Sequence, residues 1–390
     1  MTRSTEIRHG RVVTPTGVIE DGSVLVRDGR IVRVGSAPTR RRSSGRLIDA
    51  TDRVVMPGLI DLHGDDIEHQ LHPRANASVD PRIALAMADR TNLASGVTTK
   101  FHAISFEETP AKNRTVDAAV ELAETIAAAD DLLIDNRIHA RCELSPESVS
   151  AVPDLLGSVP IDLVSVMHHT TGDGQLADGE AFTDLYVSEK GCTVDEAERL
   201  RDERESMSTE TVWKWTRQLI GRLTNAGVVT AFHDVASPDS VEWMADLGIG
   251  IAEYPVTMAA IRRAAELGMT TAMGAPNLVR GGSLWDNLSA ERAVRAGVLD
   301  VLCSDYHPPS LLTAVFVETG ESLSDRVARV TRNPADAVGL SDRGRIETGA
   351  RADLIVVDPD PVPTVDTVLV DGAEQFGTDA AARPDSPRVR

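Results

Sequence analysis

The sequence predicts an α/β protein: a distorted (β/α)8 TIM barrel with a small β-sandwich domain formed by both termini. Three observations predict this fold class. Short apolar runs alternate with helix-like stretches through the middle of the chain, several of these runs end in ionisable residues, and both ends of the chain are rich in strand and turn signals. A length of 390 residues leaves room for one large domain and a smaller one.

Both ends of the chain carry the pattern of short β-strands. The first part alternates apolar and polar side chains, and its Asp-Gly pairs at 21–22 and 28–29 are hairpin signals. Residues 344–374 have the same pattern of short apolar strands and turns. The predicted domains are a β-sandwich from residues 1–56 and 341–375, a barrel from residues 57–340 and a disordered tail from residues 376–390.

The middle of the chain contains eight apolar runs separated by helical patterns such as VDAAVELAETIAAA and SAERAVRAG. Near-continuous apolar strands are typical of a parallel sheet that is covered on both faces. A charged insert at residues 173–211 interrupts the alternation and is interpreted as a solvated helix or a lid. The eight predicted strands are GLIDLH, GVTTKFHA, NRIHARCEL, DLVSVMHH, GVVTAFHD, GIGIAEYP, GMTTAMGAP and LDVLCSDY.

The composition excludes several classes of protein. A net charge of −20 argues against a nucleic-acid-binding surface. No apolar run approaches the roughly 18 residues of a membrane span, and the beginning of the chain does not resemble a signal peptide. Three widely spaced cysteines suggest a reducing compartment. We therefore expect a cytoplasmic protein that acts on a small molecule, and whether it forms a homo-oligomer stays open.

The charge is unusual in its make-up, with only four lysines among the 40 basic residues. An acidic, lysine-poor surface is typical of proteins from concentrated salt, and a GC-rich genome is the alternative source of the arginine bias. At about 1 M salt the Debye length falls to roughly 3 Å, which screens the repulsion between acidic side chains. We therefore predict that the melting temperature rises with KCl concentration; a flat or falling series would favour codon bias.

Potential metal ligands follow five of the predicted strands. The carboxyl ends of barrel strands meet at one face, where such barrels carry their active sites. Imidazole and carboxylate ligands suit Zn²⁺, with Mn²⁺ or Fe²⁺ as alternatives. Six ligands exceed the needs of one tetrahedral ion, so we expect two divalent metals, with a carboxylate bridge from Glu143. The candidate ligands are His63, Asp65, Glu143, His169, His233 and Asp305.

Each candidate also has a structural interpretation. A lone histidine at a strand end is commonly packed, and an aspartate there is commonly a helix N-cap. His102, His139 and His168 are weaker candidates, and His168 is interpreted as packing because it alternates with His169 along an extended strand. Lys100 is a candidate for substrate binding, with a carboxylated bridging lysine as a further alternative.

These motifs resemble the amidohydrolase superfamily, and within it the diphosphatases of the carbon–phosphorus lyase pathway. The resemblance covers about residues 5–372 and is carried by PGLIDLHGDD, ARCEL, VMHHTTG, FHD, AEYP, MGAPNLVRGGS and LCSDYHPPSLL. It implies that the six candidate ligands occupy the metal positions of the family. The sequence departs from the family pattern at Asp173, Gly174 and Val235.

The stretch GAPNLVRGGS predicts a phosphate-binding loop. Arg280 offers a bidentate fork, and Gly281 and Gly282 allow a close approach of backbone N–H groups to an anion. Asn277 and Ser283 add neutral donors. A simple turn between two glycines is the structural alternative.

The leading hypothesis is a metal-dependent hydrolase that cleaves the α–β phosphoanhydride bond of a ribose phosphonate 5-triphosphate and releases diphosphate. Asp305 is assigned the catalytic proton transfer, and Arg280 and Lys100 the stabilisation of charge. The alternative is an amidohydrolase acting on a cyclic amide or an amino-purine. A non-enzymatic assembly scaffold is the third hypothesis, and the intact ligand set disfavours it.

Overall fold

The computed structural model describes residues 4–38, 45–74, 77–109, 114–169, 179–188, 192–284 and 286–378. The strands are β1 (Ser4–Thr14), β2 (Gly17–Arg27), β3 (Arg30–Ser36), β4 (Arg46–Asp49), β5 (Val54–Pro57), β6 (Leu59–Gly64), β7 (Val97–Phe106), β8 (Asp135–Glu143), β9 (Ile161–Met167), β10 (Val229–His233), β11 (Ile251–Glu253), β12 (Thr270–Gly274), β13 (Val301–Cys303), β14 (Leu354–Asp358), β15 (Thr364–Val370) and β16 (Ala373–Gly377).

The helices lie mainly between the barrel strands. They are α1 (Ile67–Leu71), α2 (Pro81–Ala94), α3 (Val116–Ala127), α4 (Pro146–Leu155), α5 (Gly179–Ser188), α6 (Val194–Glu205), α7 (Thr209–Asn225), α8 (Pro238–Asp246), α9 (Met258–Glu266), α10 (Ala275–Arg280), α11 (Ala290–Arg295), α12 (Pro309–Val315), α13 (Leu323–Ala328) and α14 (Arg332–Ala337). None of these helices is long and apolar enough to cross a membrane.

The chain divides into two compact units. One comprises the described residues of Met1–Ile60, Arg90–Thr99 and Glu321–Arg390, and the other those of Asp61–Asp89 and Lys100–Gly320. Strand β16 runs through Gly377, into the first residues of the predicted tail, and residues 379–390 lie outside the described part of the chain.

The first unit contains a sheet built from both termini, as predicted. Its eight strands run in the order β16-β15-β14-β5-β1-β2-β3, with β4 paired to β1. Ile7, Val55 and Leu354 are fully buried in its core. The Asp28-Gly29 pair makes a hairpin turn with positive φ at both residues, as expected. The prediction of a turn at 21–22 was wrong, because this pair lies inside β2, and the chain turns instead between Thr14 and Gly17.

The second sheet confirms the predicted (β/α)8 barrel. All eight predicted runs form strands, and they lie in sequence order from β6 to β13. A parallel bridge between Gly64 and Asp305 joins the first strand to the last. The Asp305 N–H donates to the His63 carbonyl over 2.9 Å, and the Asp65 N–H donates to the Asp305 carbonyl over 3.0 Å. The main chain that closes the barrel therefore carries three of the six candidate ligands.

The helices around the barrel follow from their apolar spacing. In α3, Ala119, Leu122, Ala123 and Ile126 are buried, which is the i, i+3, i+4, i+7 face of an amphipathic helix. Thr115 caps this helix by accepting the Ala118 N–H over 3.1 Å. These side chains belong to the apolar layer between the helices and the strands, together with residues of β8, β9 and α7.

The charged insert is only partly solvated. Thr193 and Glu196 form a capping box at the start of α6, which explains why a strongly charged segment is helical. Phe182, Tyr186 and Ala197 are nevertheless buried together, and they anchor α5 to α6. The interpretation of the insert as a solvated helix is therefore corrected for this part. Residues 170–178 and 189–191 lie outside the described residues.

Candidate active site

The first strand and the sixth strand of the barrel place His63 beside Glu253. The Nδ1–H of His63 donates to Glu253 over 2.8 Å, and the Ser165 hydroxyl donates to the other Glu253 oxygen over 2.6 Å. The side chains of His63 and Glu253 are both buried. Burial opposes ionisation of Glu253, but His63 and His139 outweigh it and lower the pKa of this carboxyl well below its usual range. Glu253 therefore orients the His63 ring and leaves Nε2 available as a metal ligand.

The third and fourth strands form a second carboxylate–histidine pair. Glu143 accepts hydrogen bonds from the backbone N–H of His169 over 2.9 Å and from its Nδ1–H over 2.5 Å. Arg204 of α6 lies 3.8 Å from the same carboxylate. Burial opposes the charge on Glu143, but Arg204 and His169 depress its pKa strongly. In this structure Glu143 orients His169, and its role as a bridging ligand stays a prediction.

His233 and Asp234 lie between these two pairs. The Asp234 carboxylate lies 2.9 Å from His233 Nδ1 and 3.5 Å from His169 Nε2. Although the Asp234 oxygens and His233 Nδ1 are buried, none makes a hydrogen bond of ordinary geometry. Donor atoms that converge in this way without bonding one another suit a metal ion.

Two groups of three donors could each hold an ion. His63, His233 and Glu253 form one group, and His169, His233 and Asp234 form the other, with the donor atoms of each group within 4.8 Å of one another. His233 belongs to both. Among the described residues, these groups contain the three predicted histidines, and they add Glu253 and Asp234 in place of Asp65, Glu143 and Asp305.

Asp305 lies next to these groups in a left-handed backbone conformation with φ of 57°, which aspartate tolerates better than most residues. Burial and the Asp65 carboxylate raise its pKa to about 7, against the opposing effect of His63 and Arg141. Arg141 lies 3.5 Å from Asp65. A carboxylate with a pKa close to neutrality suits a group that accepts a proton during catalysis.

Lys100 is fully buried. Its ammonium lies 2.6 Å from both Asp61 and Asp66 and donates to Ser304 over 3.1 Å. Burial disfavours the charge, but Asp61 and Asp66 outweigh it and raise the Lys100 pKa above its usual value. A Cβ on Gly64 would lie 1.8 Å from this ammonium, so position 64 requires glycine. This enclosure favours a structural role, and substrate binding by Lys100 stays a prediction.

The predicted phosphate loop is a helix end. Gly281 adopts φ of 87° at the C-terminus of α10, and the N–H groups of Gly281 and Gly282 donate to the carbonyls of Leu278 and Asn277. The expectation that these N–H groups face an anion is therefore corrected, because the helix already uses them.

The side chains of the same segment divide between two roles. Asn277 donates to the Leu288 carbonyl and accepts the Ala290 N–H, so it holds the start of α11. Arg280 is exposed, donates to Tyr306, and lines a small pocket with Ser283 and Asp305. Arg280 and Ser283 therefore remain the candidates for contact with a substrate.

Two residues of the metal groups were not assigned from the sequence. Glu253 is the last residue of β11, within the run GIGIAEYP, so the position of carboxylates at strand ends is the signal that could identify it. Asp234 follows His233 directly in the motif FHD, of which only the histidine is a candidate ligand in the sequence analysis. Of the departures from the family pattern, Val235 is buried, and Asp173 and Gly174 lie outside the described residues.

Metal binding at His169 is expected to depend on pH. Burial lowers the pKa of His169, but Glu143 and Asp234 outweigh it and raise this pKa to about 9 in the metal-free protein. A metal must displace that proton, so the apparent affinity should rise with pH, by up to about tenfold per unit below pH 9. Zinc titrations against a competing chelator at several pH values measure this slope.

Glu143→Gln is the matched variant for this experiment. This variant removes a carboxylate that raises the His169 pKa. The rise of zinc affinity with pH should therefore end at a lower pH, whatever the absolute affinity. Identical slopes in the two proteins would rule out the proposed link between Glu143 and the His169 proton.

Comparison with known proteins gives a consistent set of relatives. The amidohydrolase family model matches residues 164–373. The chain is 32% identical over 349 residues to alpha-D-ribose 1-methylphosphonate 5-triphosphate diphosphatase of Escherichia coli (strain K12), covering 87% of this chain and 91% of the relative. It is 25% identical over 382 residues to imidazolonepropionase of Symbiobacterium thermophilum, covering 90% and 87%. The dihydropyrimidinase from Brevibacillus agri NCHU1002 has the same fold, with a TM-score of 0.59 at 14% identity, covering 96% of this chain and 95% of that structure.

Proposed function

This chain belongs to the amidohydrolase family and is a hydrolase, and we propose that it cleaves the α–β phosphoanhydride bond of a ribose phosphonate 5-triphosphate, using two divalent metals. The 32% identity to the diphosphatase over most of both chains carries this proposal. The products are the 5-phosphate and diphosphate. Two further features support the proposal. The site has groups of side chains that could hold metal ions, and the exposed Arg280 lines the pocket that also contains Asp305.

The metal groups fit the chemistry that such a cleavage needs. His63 and His233 would hold one ion, with Glu253 keeping the His63 ring in place, and His169 and Asp234 would hold the other. When bound, divalent ions polarise phosphoryl oxygens and lower the pKa of water. Zn²⁺ suits this mixture of imidazole and carboxylate, with Mn²⁺ and Fe²⁺ as alternatives.

The protein's own groups perform the remaining tasks. Asp305 would accept a proton from the attacking water, because its carboxylate is buried beside the metal groups and its backbone bonds to His63. Arg280 binds a phosphate of the substrate through its planar fork. Glu253 and Glu143 keep His63 and His169 in the required orientation.

Arg280→Ala is expected to raise KM for a triphosphate ester. Loss of a charge-assisted contact costs roughly 1.5–3 kcal/mol, or about 10- to 150-fold. Steady-state kinetics of the variant measure this change, and Arg295→Ala, which removes an exposed arginine paired with Glu291, is the control. An unchanged KM together with a lower melting temperature would make Arg280 structural.

The bond that is cleaved can be tested directly. Incubation with a ribose 5-triphosphate ester in ¹⁸O-labelled water should release diphosphate and place the label on the ribosyl monophosphate. Label in the diphosphate would move the attack to the β-phosphorus. Orthophosphate as the sole product would reject this reaction.

Hydrolysis of a cyclic amide or an amino-purine is the second candidate function. The likeness to imidazolonepropionase over 90% of the chain favours it. Turnover of hydantoins, dihydroorotate or adenine, without release of diphosphate from any triphosphate, would select this alternative.

A further inference from the structure

A pocket of about 370 Å³ opens beside the metal groups. It lies between helices α7 and α8 and the ends of β9 and β10, and His169, His233 and Asp234 form part of its lining. Its volume is within the range of small-molecule sites. Whatever occupies this pocket therefore lies against the candidate metal ligands.

The walls of this pocket are apolar and aromatic. Val212, Trp213, Phe232, Trp243 and Met244 line it. The lining contains no lysine or arginine among the described residues, and its acidic members are Asp234 and Asp239. Away from the metal-group residues, the wall formed by α7 and α8 offers mainly apolar side chains and the Asp239 carboxylate, without a lysine or arginine, so this wall does not suit the anionic part of a substrate.

Two tryptophans stand at one wall. The rings of Trp213 and Trp243 are stacked, with centroids 5.3 Å apart and planes inclined by 23°. Trp213 remains 44% exposed, although the whole chain contains only four tryptophans. An open aromatic face beside an apolar pocket favours stacking with a planar ring.

The arginine pocket lies on the other side of Asp234. This second, smaller pocket is lined by Arg280, Ser283, Tyr306 and Asp305. Asp234 is the one described residue that lines both pockets. A cationic end and an aromatic end thus flank the metal groups.

We propose that the Trp213–Trp243 pocket binds an uncharged planar ring, such as a nucleobase, while the phosphate chain of the same substrate extends towards Arg280. This inference rests on the proposed function for the phosphate end and deepens it. The reaction stays the α–β cleavage of a triphosphate ester, but the substrate carries a heteroaromatic group in place of the phosphonate, and its scissile bond would lie beside the metal groups between the two pockets.

The test compares a substrate with a ring and a substrate without one. Diphosphate release from adenosine 5′-triphosphate and from ribose 5-triphosphate is measured with the metal-loaded full chain, Trp213→Ala and Trp213→Phe. Trp213→Ala should lower kcat/KM for the ring-bearing substrate about tenfold more than for ribose 5-triphosphate, since stacking of a base on an aromatic side chain is a favourable contact of that order. Trp213→Phe retains an aromatic face and should recover most of this difference.

A binding measurement separates this inference from the proposed reaction. Adenosine alone should quench the tryptophan fluorescence of the wild-type protein in a saturable way, and binding should weaken in Trp213→Ala. If neither triphosphate released diphosphate, the proposed reaction would be rejected. Adenosine binding would then still test whether the pocket binds a planar ring. Absence of saturable adenosine binding, or equal losses for both substrates in Trp213→Ala, would overturn the ring pocket.

Discussion

His233→Asn is expected to remove metal and turnover together. His233 is the donor that the two metal groups share, with its ring 5.5 Å from that of His63 and 6.1 Å from that of His169. Loss of an outer-shell partner of a metal ligand costs roughly 10- to 100-fold in affinity or activity. Loss of a donor that belongs to both candidate groups should cost more than this.

Elemental analysis and diphosphate release measure the two effects. His9→Asn is the matched control, because His9 pairs with Asp21 and has φ of 66°, which asparagine tolerates. Glu143→Gln should give an intermediate loss, because that carboxylate contacts His169 rather than belonging to either group. If His233→Asn kept two equivalents of metal and its activity, the assignment of the shared ligand would be wrong.

Arg204→Met is expected to cause the largest loss of stability. Arg204 is buried, donates to Tyr186 over 2.5 Å, and lies 3.5 Å from Glu107 and 3.8 Å from Glu143. Its guanidinium also stacks over the rings of Phe182 and Tyr186. Removal of one partner from a buried ion pair costs about 3–5 kcal/mol, because the remaining charge is left without compensation.

Urea denaturation of the metal-free protein measures this loss. Arg201→Met is the control on the same helix, since Arg201 is partly exposed and pairs with its neighbour Asp202; a surface change of this kind is usually within about 0.5 kcal/mol. A loss equal to that of Arg201→Met would show that α6 contributes nothing to the carboxylate network.

The same variant tests whether the insert supports the active site. Arg204 contacts Glu143, and Glu143 orients His169. We therefore expect Arg204→Met to weaken zinc binding as well as stability. A destabilised protein with wild-type zinc affinity at low temperature would confine Arg204 to folding.

Much of the fold and part of the site were predictable from local sequence. The eight apolar runs predict parallel strands because a sheet covered on both faces needs apolar side chains at every position. Their carboxyl ends meet at one face of a barrel, which is why His63, His169 and His233 could be placed together before their distances were known. The family resemblance also extended over most of the chain.

Other features depend on depth and on contacts between distant segments. Lys100 is the fourth residue of the ten-residue strand β7, and its strand position did not reveal that Asp61 and Asp66 enclose it. A pair of glycines such as Gly281 and Gly282 occurs both in anion-binding loops and at helix ends. Only the hydrogen bonds to the carbonyls of Asn277 and Leu278 show that this pair ends a helix.

The sequence by itself determined the order of strands and helices and the identity of the histidines at the barrel mouth, because both follow from short-range periodicity. Only the tertiary structure decided that Glu253 supports His63, that Asp234 joins the metal groups, and that Arg204 of a charged helix is buried against Glu143. These roles arise between residues separated by 190 and by 61 positions in the pairs Glu253–His63 and Arg204–Glu143. Hydrogen bonds and ion pairs act over a few ångströms, so such contacts exist only once the barrel brings distant parts of the chain together.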